Sequence, residues 1–320
     1  MISIIIPVYN SEKTIEVLVD EIIKVLDKNY EYEVVLINDC SNDQSEEKCK
    51  NLVKKYAFVS LFSLSKNVGE HNAIMAGLNK CTGDYAVIMS DDLQNSAASL
   101  LELIKYGMKE KENCDVIYTY YDKAKYGFFK RLGSKFNSLV SNFLLDKPKS
   151  IYLSSFKLIN RFLITEIIKY KSPYIFIDGI ILGITSKIGR LKVEHGQRAE
   201  GKSGYTFMKL LQLWSNMSTS FSVLPLRLSM IMGLILSIFG FILAAYFFIQ
   251  RIMDDTVPGG FASIFVSVTI FSGTILIALG LVGEYVGRIF ISLNKKPQFV
   301  IRNSWSNKKQ WRYQANKRKR

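Results

Sequence analysis

Two histidines, His71 and His195, are all that the 320 residues contain, and they lie far apart in the chain. No HExxH helix can be drawn from them, which excludes a histidine-ligated zinc as the organising chemistry. Each reads as a polar loop residue or a phosphate contact. Cysteine is as sparse: Cys40, Cys49, Cys81 and Cys114 include no CxxC pair. That spacing makes neither a zinc framework nor a secreted disulfide scaffold, so scattered structural thiols in a reducing compartment are expected. A secretory signal is not expected either, because the opening ISIII is too short for an h-region and is interrupted by Pro7. Acidic residues vanish from one stretch. Between Arg288 and Arg320 stand 11 Lys and Arg and no Asp or Glu, so the first 287 residues carry only +3 of the net +14. The basic character belongs to a tail, not to the body of the protein.

Charge is also missing from two long segments. Leu228 to Gln250 and Phe261 to Gly283 each run 23 residues, and neither contains a charged side chain. At helical rise each spans ~35 Å, enough for a ~30 Å hydrocarbon core, so two transmembrane helices are expected. The loop between them, RIMDDTVPGG, carries one Arg and two Asp, whereas the outer flanks hold Arg227, Arg288, Lys295, Lys296 and the terminal KRKR. Positive-inside counting places both termini in the cytoplasm of a multi-pass inner-membrane protein. Small residues recur at Ser229, Gly233 and Ser237, and again at Gly283 and Gly287, a spacing that permits close helix approach in a membrane. The preceding segment, Gly204 to Leu226, is amphipathic and is expected to lie along the membrane surface. The tail NKKQWRYQANKRKR invites a nucleic-acid reading through Trp311 and Tyr313. Its place after a membrane span favours anionic lipid as its partner instead, and no nucleic acid.

The first two hundred residues alternate short β-branched runs with amphipathic stretches. Strands are expected at Ile2 to Ile6, Tyr32 to Asn38, Ala57 to Leu64, within DYAVIMS, and at Cys114 to Tyr120. Helices are expected at Glu16 to Leu26 and Glu46 to Lys55. This is the pattern of an α/β domain built on a mainly parallel, Rossmann-like sheet. Ligands of such sheets bind beyond the carboxyl ends of the strands. The polar clusters sit there: Pro7-Val8-Tyr9-Asn10, Asn38-Asp39, Lys66-Asn67, and Ser90 to Gln94. Asp43 to Glu46 has capping-box spacing for the second helix. Gly69 and Gly77 bracket a short helix, EHNAIMA, whose N-terminus would favour an anion. From about Ile151 the alternation fades.

With these residues in view the sequence resembles the family-2 glycosyltransferases, and within them the polyprenyl-phosphate hexosyltransferases. The resemblance covers nearly the whole chain. IIIPVYN and INDCSND resemble the two opening nucleotide-binding motifs, and NVGEHNAIMAG resembles N-x-G-x-x-x-A-x-x-A-G. SDDLQNS is similar to D-x-D-L-Q-x-P, RAEGKSGYTF to R-x-x-G-x-S-x-Y, and GLVGEYVGR to the end of the second span. The resemblance implies a GT-A-type fold and transfer of a hexose, with inversion, from a nucleotide diphosphate sugar, a UDP-sugar by preference, to polyprenyl (undecaprenyl) phosphate. It also implies a homo-oligomer, tetrameric in related enzymes.

It further implies roles for particular residues. Asp92 and Gln94, with Ser90, would hold Mg2+ or Mn2+, cations that prefer hard oxygen ligands and keep substrate phosphates in their shell. Pro7, Tyr9, Asn10, Asp39, Asn67, Gly69 and Asp91 would line the nucleotide, with Asp39 accepting from base or ribose. Helix capping is the alternative for Asp39 and Asp92. Lys130, Arg131, Lys157, Arg198 and Lys202 are the cations that would position a lipid phosphate, with Ser134 completing RK-x-x-S.

Four positions depart from the family pattern. Ser90 stands where D-x-D begins, and Cys40 replaces the glycine of D-G-S, a strained choice if φ is positive there. Ser155 and Lys157 stand where an acid and an arginine are common. A sugar hydroxyl needs a general base, whereas a lipid phosphate is already an anion. Lack of an acid at Ser155 therefore favours the phosphate acceptor. A glycan hydroxyl acceptor, with Asp178 as base, is the second reading, and a catalytically weak membrane scaffold is the third. The boundaries expected are a catalytic domain over 1–203, a juxtamembrane segment over 204–227, a membrane hairpin over 228–287, and a basic tail over 288–320.

Overall fold

The structure, a computed structural model, describes residues 1–26, 30–121, 152–173, 175–194, 224–253, 260–294 and 296–307. It divides into two compact units, Met1–Thr206 together with Lys295–Arg320, and Phe207–Asn294.

Among the described residues the first unit is built on a sheet of eight strands. In chain order these are β1 (Ile2–Val8), β2 (Tyr32–Asn38), β3 (Val59–Leu64), β4 (Tyr85–Ile88), β5 (Val116–Tyr120), β6 (Lys157–Asn160), β7 (Ile188–Lys192) and β8 (Ile301–Ser306). Their spatial order is β7-β5-β6-β4-β1-β2-β3-β8. The β3-β2-β1-β4 half is parallel, with Ile4 opposite Val34 on one side and Val87 on the other. β6 runs antiparallel to both β4 and β5, and β8 antiparallel to β3, so the sheet is mixed. Among the described residues the helices are α1 (Ile15–Leu26), α2 (Ser45–Lys55), α3 (Glu70–Lys80), α4 (Ala97–Lys109), α5 (Arg161–Ile167) and α6 (Ile177–Ile184).

Continuous apolar runs in the strands follow from burial on both faces. Ile4, Ile6 and Val8 join Leu18, Leu52 and Leu100 of α1, α2 and α4 in one core layer. Alternate residues point the other way. A Cβ at Gly77 would stand 2.3 Å from the Ile5 side chain, so α3 lies against β1 at a distance that only glycine allows. This explains why α3 runs on through Gly77 to Lys80 instead of ending there, as the bracketing glycines had led one to expect.

The capping box also differs from expectation. Asp43 accepts from the Ser45 and Glu12 amides, while Glu46 accepts from the Asn38 side chain, 3.2 Å away. Glu46 is thus drawn toward the sheet instead of back to the helix start.

The polar run IRNSWS gave no strand signal, yet it forms β8 and covers the edge of β3. Trp305 packs on the core, with the Lys50 ammonium 4.6 Å from its ring centre, and Asn307 donates to the Val53 carbonyl. An unpaired β3 edge would expose backbone donors and acceptors, which explains the gain from pairing a polar segment there. The stretch from 288 onward is therefore not uniformly a tail: it continues a helix to Leu293 and then rejoins the sheet.

The second unit contains two long helices, α7 (Leu224–Met253) and α8 (Phe261–Leu293). Ile270–Ile291 of α8 is long and apolar enough to cross a membrane, and it is not buried against the rest of the protein. Ser229–Gly240 of α7 is a shorter apolar stretch. The helices meet where Phe271 closes on Gly240. The juxtamembrane segment expected over 204–227 lies outside the described residues up to 223.

Candidate active site

The carboxyl ends of β1, β2, β3 and β4 converge, and backbone amides there are matched to short polar side chains. At the end of β1, Asn10 takes a left-handed conformation (φ 53). Its amide donates to the Ser41 hydroxyl at 3.1 Å, and its side-chain oxygen accepts from the Asn42 amide at 2.9 Å. The loops after β1 and β2 are thereby laced together. Pro7 sits within β1 opposite Ile37, and Tyr9 is exposed beside Asn10.

Asp39 ends β2. It is buried, and its two carboxylate oxygens accept from the amides of Val68 (2.8 Å) and Gly69 (2.9 Å). Burial pushes its carboxyl above the usual range, and the two amide bonds pull it back only in part. Its role is not helix capping of α2. It fixes the loop between β3 and α3, in which Asn67 is exposed and Gly69 adopts φ 85 as the residue before α3. Cys40 follows at φ 58, so the backbone does require a left-handed residue where the family pattern has glycine. A β-carbon there is strained by ~1–2 kcal/mol.

The turn after β4 separates its adjacent acids. Asp91 accepts from the Tyr9 amide (3.1 Å) and from the Ser11 hydroxyl, which binds it to the β1 loop. Burial raises its carboxyl pKa, and the neighbouring Asp92 charge adds to that, while the Ser11 and Tyr9 bonds oppose it. Asp92 instead accepts from the Gln94 amide at 3.2 Å, across Leu93 at φ 59. Two carboxylates in sequence thus face different partners, and a strained leucine holds the turn that parts them. Ser11 was not among the expected site residues. Its position directly after Tyr9-Asn10 was the only signal.

Ser90 and Ser155 come together, their hydroxyl oxygens 3.4 Å apart. Lys157 opens β6 opposite Ile88, the last residue of β4. It is buried and ion-paired with Asp178 of α6, and Asp178 also accepts from the Tyr118 hydroxyl at 2.8 Å. The Lys157 ammonium lies 5.1 Å from the Tyr118 ring centre. Burial and the Asp178 charge push the Tyr118 phenol well up. The expected pair of roles, Lys157 as a phosphate-facing cation and Asp178 as a base, meets a buried cluster in which each is committed to the other. Lys130, Arg131, Ser134, Arg198, Lys202 and His195 lie outside the described residues.

Among the described residues no group of three or more His, Cys, Asp or Glu could hold a metal unaided. Asp92, Gln94 and Ser90 offer hard oxygens only, a donor set that fits a small divalent cation taking the rest of its shell from substrate phosphates. All four cysteines are free thiols, Cys49 and Cys81 buried, as expected for structural positions.

Residues 3–168, just over half the chain, match the family model described as Glycosyl transferase family 2. The chain belongs to that family. Among its relatives, an undecaprenyl-phosphate 4-deoxy-4-formamido-L-arabinose transferase of Proteus mirabilis is 28% identical over 94% of this chain and 92% of its own length. The uncharacterized glycosyltransferase YkcC of Bacillus subtilis is 30% identical over 98% of this chain and 97% of its own. As a fold, this family-2 chain is similar to glucosyl-3-phosphoglycerate synthase from Mycobacterium tuberculosis, at 17% identity and TM-score 0.50 over 68% of this chain and 80% of that one. The mixed α/β sheet is therefore GT-A-like, and the enzyme is a glycosyltransferase whose relatives, matched along almost their full length, include undecaprenyl-phosphate sugar transferases.

Proposed function

We propose that this glycosyltransferase transfers a hexose from a nucleotide diphosphate sugar, preferably a UDP-sugar, to polyprenyl phosphate, with inversion, at the cytoplasmic face of a membrane. One observation carries the reading. A single crevice combines a nucleoside-side carboxylate, Asp39, with a hard-oxygen turn, Ser90 to Gln94, while the carboxylate considered as a base, Asp178, is tied to Lys157 and Tyr118. A buried carboxylate engaged by an ammonium and a phenol is not presented to a substrate hydroxyl, whereas a phosphate acceptor needs no base. Relatives named for undecaprenyl phosphate, matched through the helical hairpin as well as the sheet domain, point the same way.

In this mechanism a lipid phosphate oxygen attacks the anomeric carbon as the bond to the nucleoside diphosphate breaks. The electron pair leaves on the diphosphate, and no proton needs to move. Asp39 accepts from base or ribose and keeps the β3–α3 loop in place. Asp91 fixes the Ser90–Gln94 turn against the β1 loop, and Asp92, Gln94 and Ser90 would hold Mg2+ or Mn2+. When bound, such a cation neutralises charge developing on the leaving diphosphate. Arg198, Lys130, Arg131 and Lys202, with Ser134, would position the anionic acceptor.

Chain topology supports a two-span membrane anchor. Residues before 206 and those forming β8 belong to one compact unit, so the chain between them leaves that unit and returns to it. A segment that does so crosses a bilayer an even number of times. If α8 crosses, α7 crosses back, and the chain on either side of the hairpin lies in the same compartment as the catalytic domain. The basic residues flanking the hairpin make that compartment the cytoplasm.

The test is product formation by the purified protein in detergent, with radiolabelled UDP- and GDP-sugars, undecaprenyl phosphate, and Mn2+ or Mg2+ against an EDTA control. An organic-extractable, metal-dependent product of inverted configuration is expected. Product formed only on added glycan oligomers would transfer the reading to a hydroxyl acceptor. Donor binding with no transfer to either would leave a scaffold.

A further inference from the structure

The chain that emerges from α8 reaches the sheet through residues 296–300, and these residues border the proposed donor site. Gln298 donates from one side-chain nitrogen to two backbone carbonyls, Tyr170 at 2.7 Å and Ser172 at 2.9 Å. Both hydrogens of that amide are thereby used. Two residues on, the Val300 carbonyl accepts from the Ser65 amide at 2.9 Å. Ile301 then opposes Leu64, where the β3–β8 register shifts between Ser63 and Leu64. Such irregularities bend a strand and re-aim its end.

Each anchor leads into the crevice. Ser65 opens the loop Lys66–Gly69, whose far end is gripped by Asp39 through the Val68 and Gly69 amides. Tyr170 and Ser172 begin the connection to α6, in which Phe176 sets its ring against His71, in the first turn of α3, at 5.2 Å. The contacts close a circuit. It runs from Ser65 to Val300, along the chain to Gln298, across to the 170–172 turn, through Phe176 to His71, and back through Gly69 to Asp39.

We infer that residues 298–301 are a positioning segment of the donor site: they hold the β3–α3 loop in the shape that receives a nucleoside diphosphate, and make donor affinity depend on the stretch that joins the helical hairpin to the sheet. The inference rests on the reading of Asp39 as the nucleoside residue. A loop held only by Asp39 would lose order when that carboxylate turns part of its accepting capacity to a ligand. Val300 and Gln298 anchor the loop and its neighbour independently, so the loop need not be ordered at the moment of binding. Gln298 touches no reacting atom in this account. It acts through the turn that it holds.

The experiment uses the full-length protein in detergent and titrates UDP by calorimetry, alongside donor KM, kcat and melting temperature. Gln298→Glu keeps the size of the side chain but presents oxygens to two carbonyls. It is expected to weaken UDP binding and raise donor KM about fivefold, the value of one modest hydrogen bond, with kcat unchanged. Gln298→Arg, which restores N–H donors, is expected to recover most of that loss. If Gln298→Glu does not fold, Gln298→Leu serves as the variant without donors.

Wild-type UDP affinity in the variant lacking donors would overturn the inference. So would a fall in melting temperature and kcat together with unchanged UDP affinity, which marks a purely structural strap. Asp39→Asn separates the two levels. If it abolishes UDP binding while the Gln298 variants bind normally, the site reading stands and this inference fails. If Asp39→Asn itself binds UDP normally, the site reading is the one that fails.

Discussion

Ser90 and Ser155, 65 residues apart in the chain, place their hydroxyl oxygens 3.4 Å from each other at the carboxyl end of β4. These are the two positions at which the family resemblance leads one to expect acids, and the fold makes them neighbours. Two carboxylates at that distance would repel unless a cation lay between them, and the serine pair avoids that repulsion. Ser90→Asp should add a ligand beside Asp92 and lower the Mn2+ concentration for half-maximal product formation by about tenfold, about 1.4 kcal/mol in binding. A manganese titration of the wild type and of Ser90→Asp decides it, and an unchanged midpoint in Ser90→Asp would remove Ser90 from the metal site.

Asp39 supplies a pH signature. Burial holds its carboxyl above the usual range. Between the ordinary and the raised value the folded state binds more protons than the unfolded one, so its contribution to stability is full below that window and is lost as pH rises through it. Nucleoside binding has the opposite sense, because a base or ribose donor needs an ionised acceptor. UDP affinity measured in EDTA should therefore fall on acidification sooner than an ordinary carboxylate would dictate. In Asp39→Asn that acidic limb should disappear along with most of the affinity. Calorimetric titrations over an acidic pH series check both statements.

The parallel half of the sheet was legible because strands buried on two faces must be continuously apolar. Ile2 to Val8 and Tyr32 to Asn38 announce themselves in that way, and the polar residues after them mark the crevice. β6 and β8 were not legible. Lys157 opens β6 with a charge that only a distant partner, Asp178, makes tolerable, and that partner cannot be read from local sequence. β8 is polar because it covers an edge, where backbone pairing matters more than side-chain burial. Asp91 illustrates the same limit within the site. The family resemblance set Asp92 at a metal and Asp91 along the nucleotide, and only the fold shows that Ser11 and the Tyr9 amide bind Asp91.

Lys157 and Asp178 make a double-mutant prediction. Removing either partner leaves a buried charge without its counterpart, which costs ~3–5 kcal/mol, whereas replacing both by apolar residues of similar size is often nearly neutral. Lys157→Met and Asp178→Leu should each lower the melting temperature strongly, and the double variant should recover most of the loss. Activity then tells structure from chemistry. A stable double variant that still forms lipid-linked product shows that Asp178 is not the base. A stable but inactive one would return weight to the hydroxyl acceptor.

The return of the chain to the sheet at β8 makes membrane topology testable at single residues. Asn307 donates to the Val53 carbonyl of α2, so it shares a compartment with the catalytic domain whichever side that domain occupies. Thr256 stands between α7 and α8 in the sequence, so a spanning hairpin would put it on the opposite side. In intact cells a membrane-impermeant thiol reagent should label Thr256→Cys and spare Asn307→Cys, while permeabilised cells should show labelling at both. A background without the four native cysteines, of which Cys49 and Cys81 are buried, removes ambiguity. Equal protection of both positions in intact cells would mean that α7 and α8 do not form a spanning hairpin. In that case α8 would lie on the bilayer or pack against a partner, and the positive-inside assignment of both ends would lose its basis.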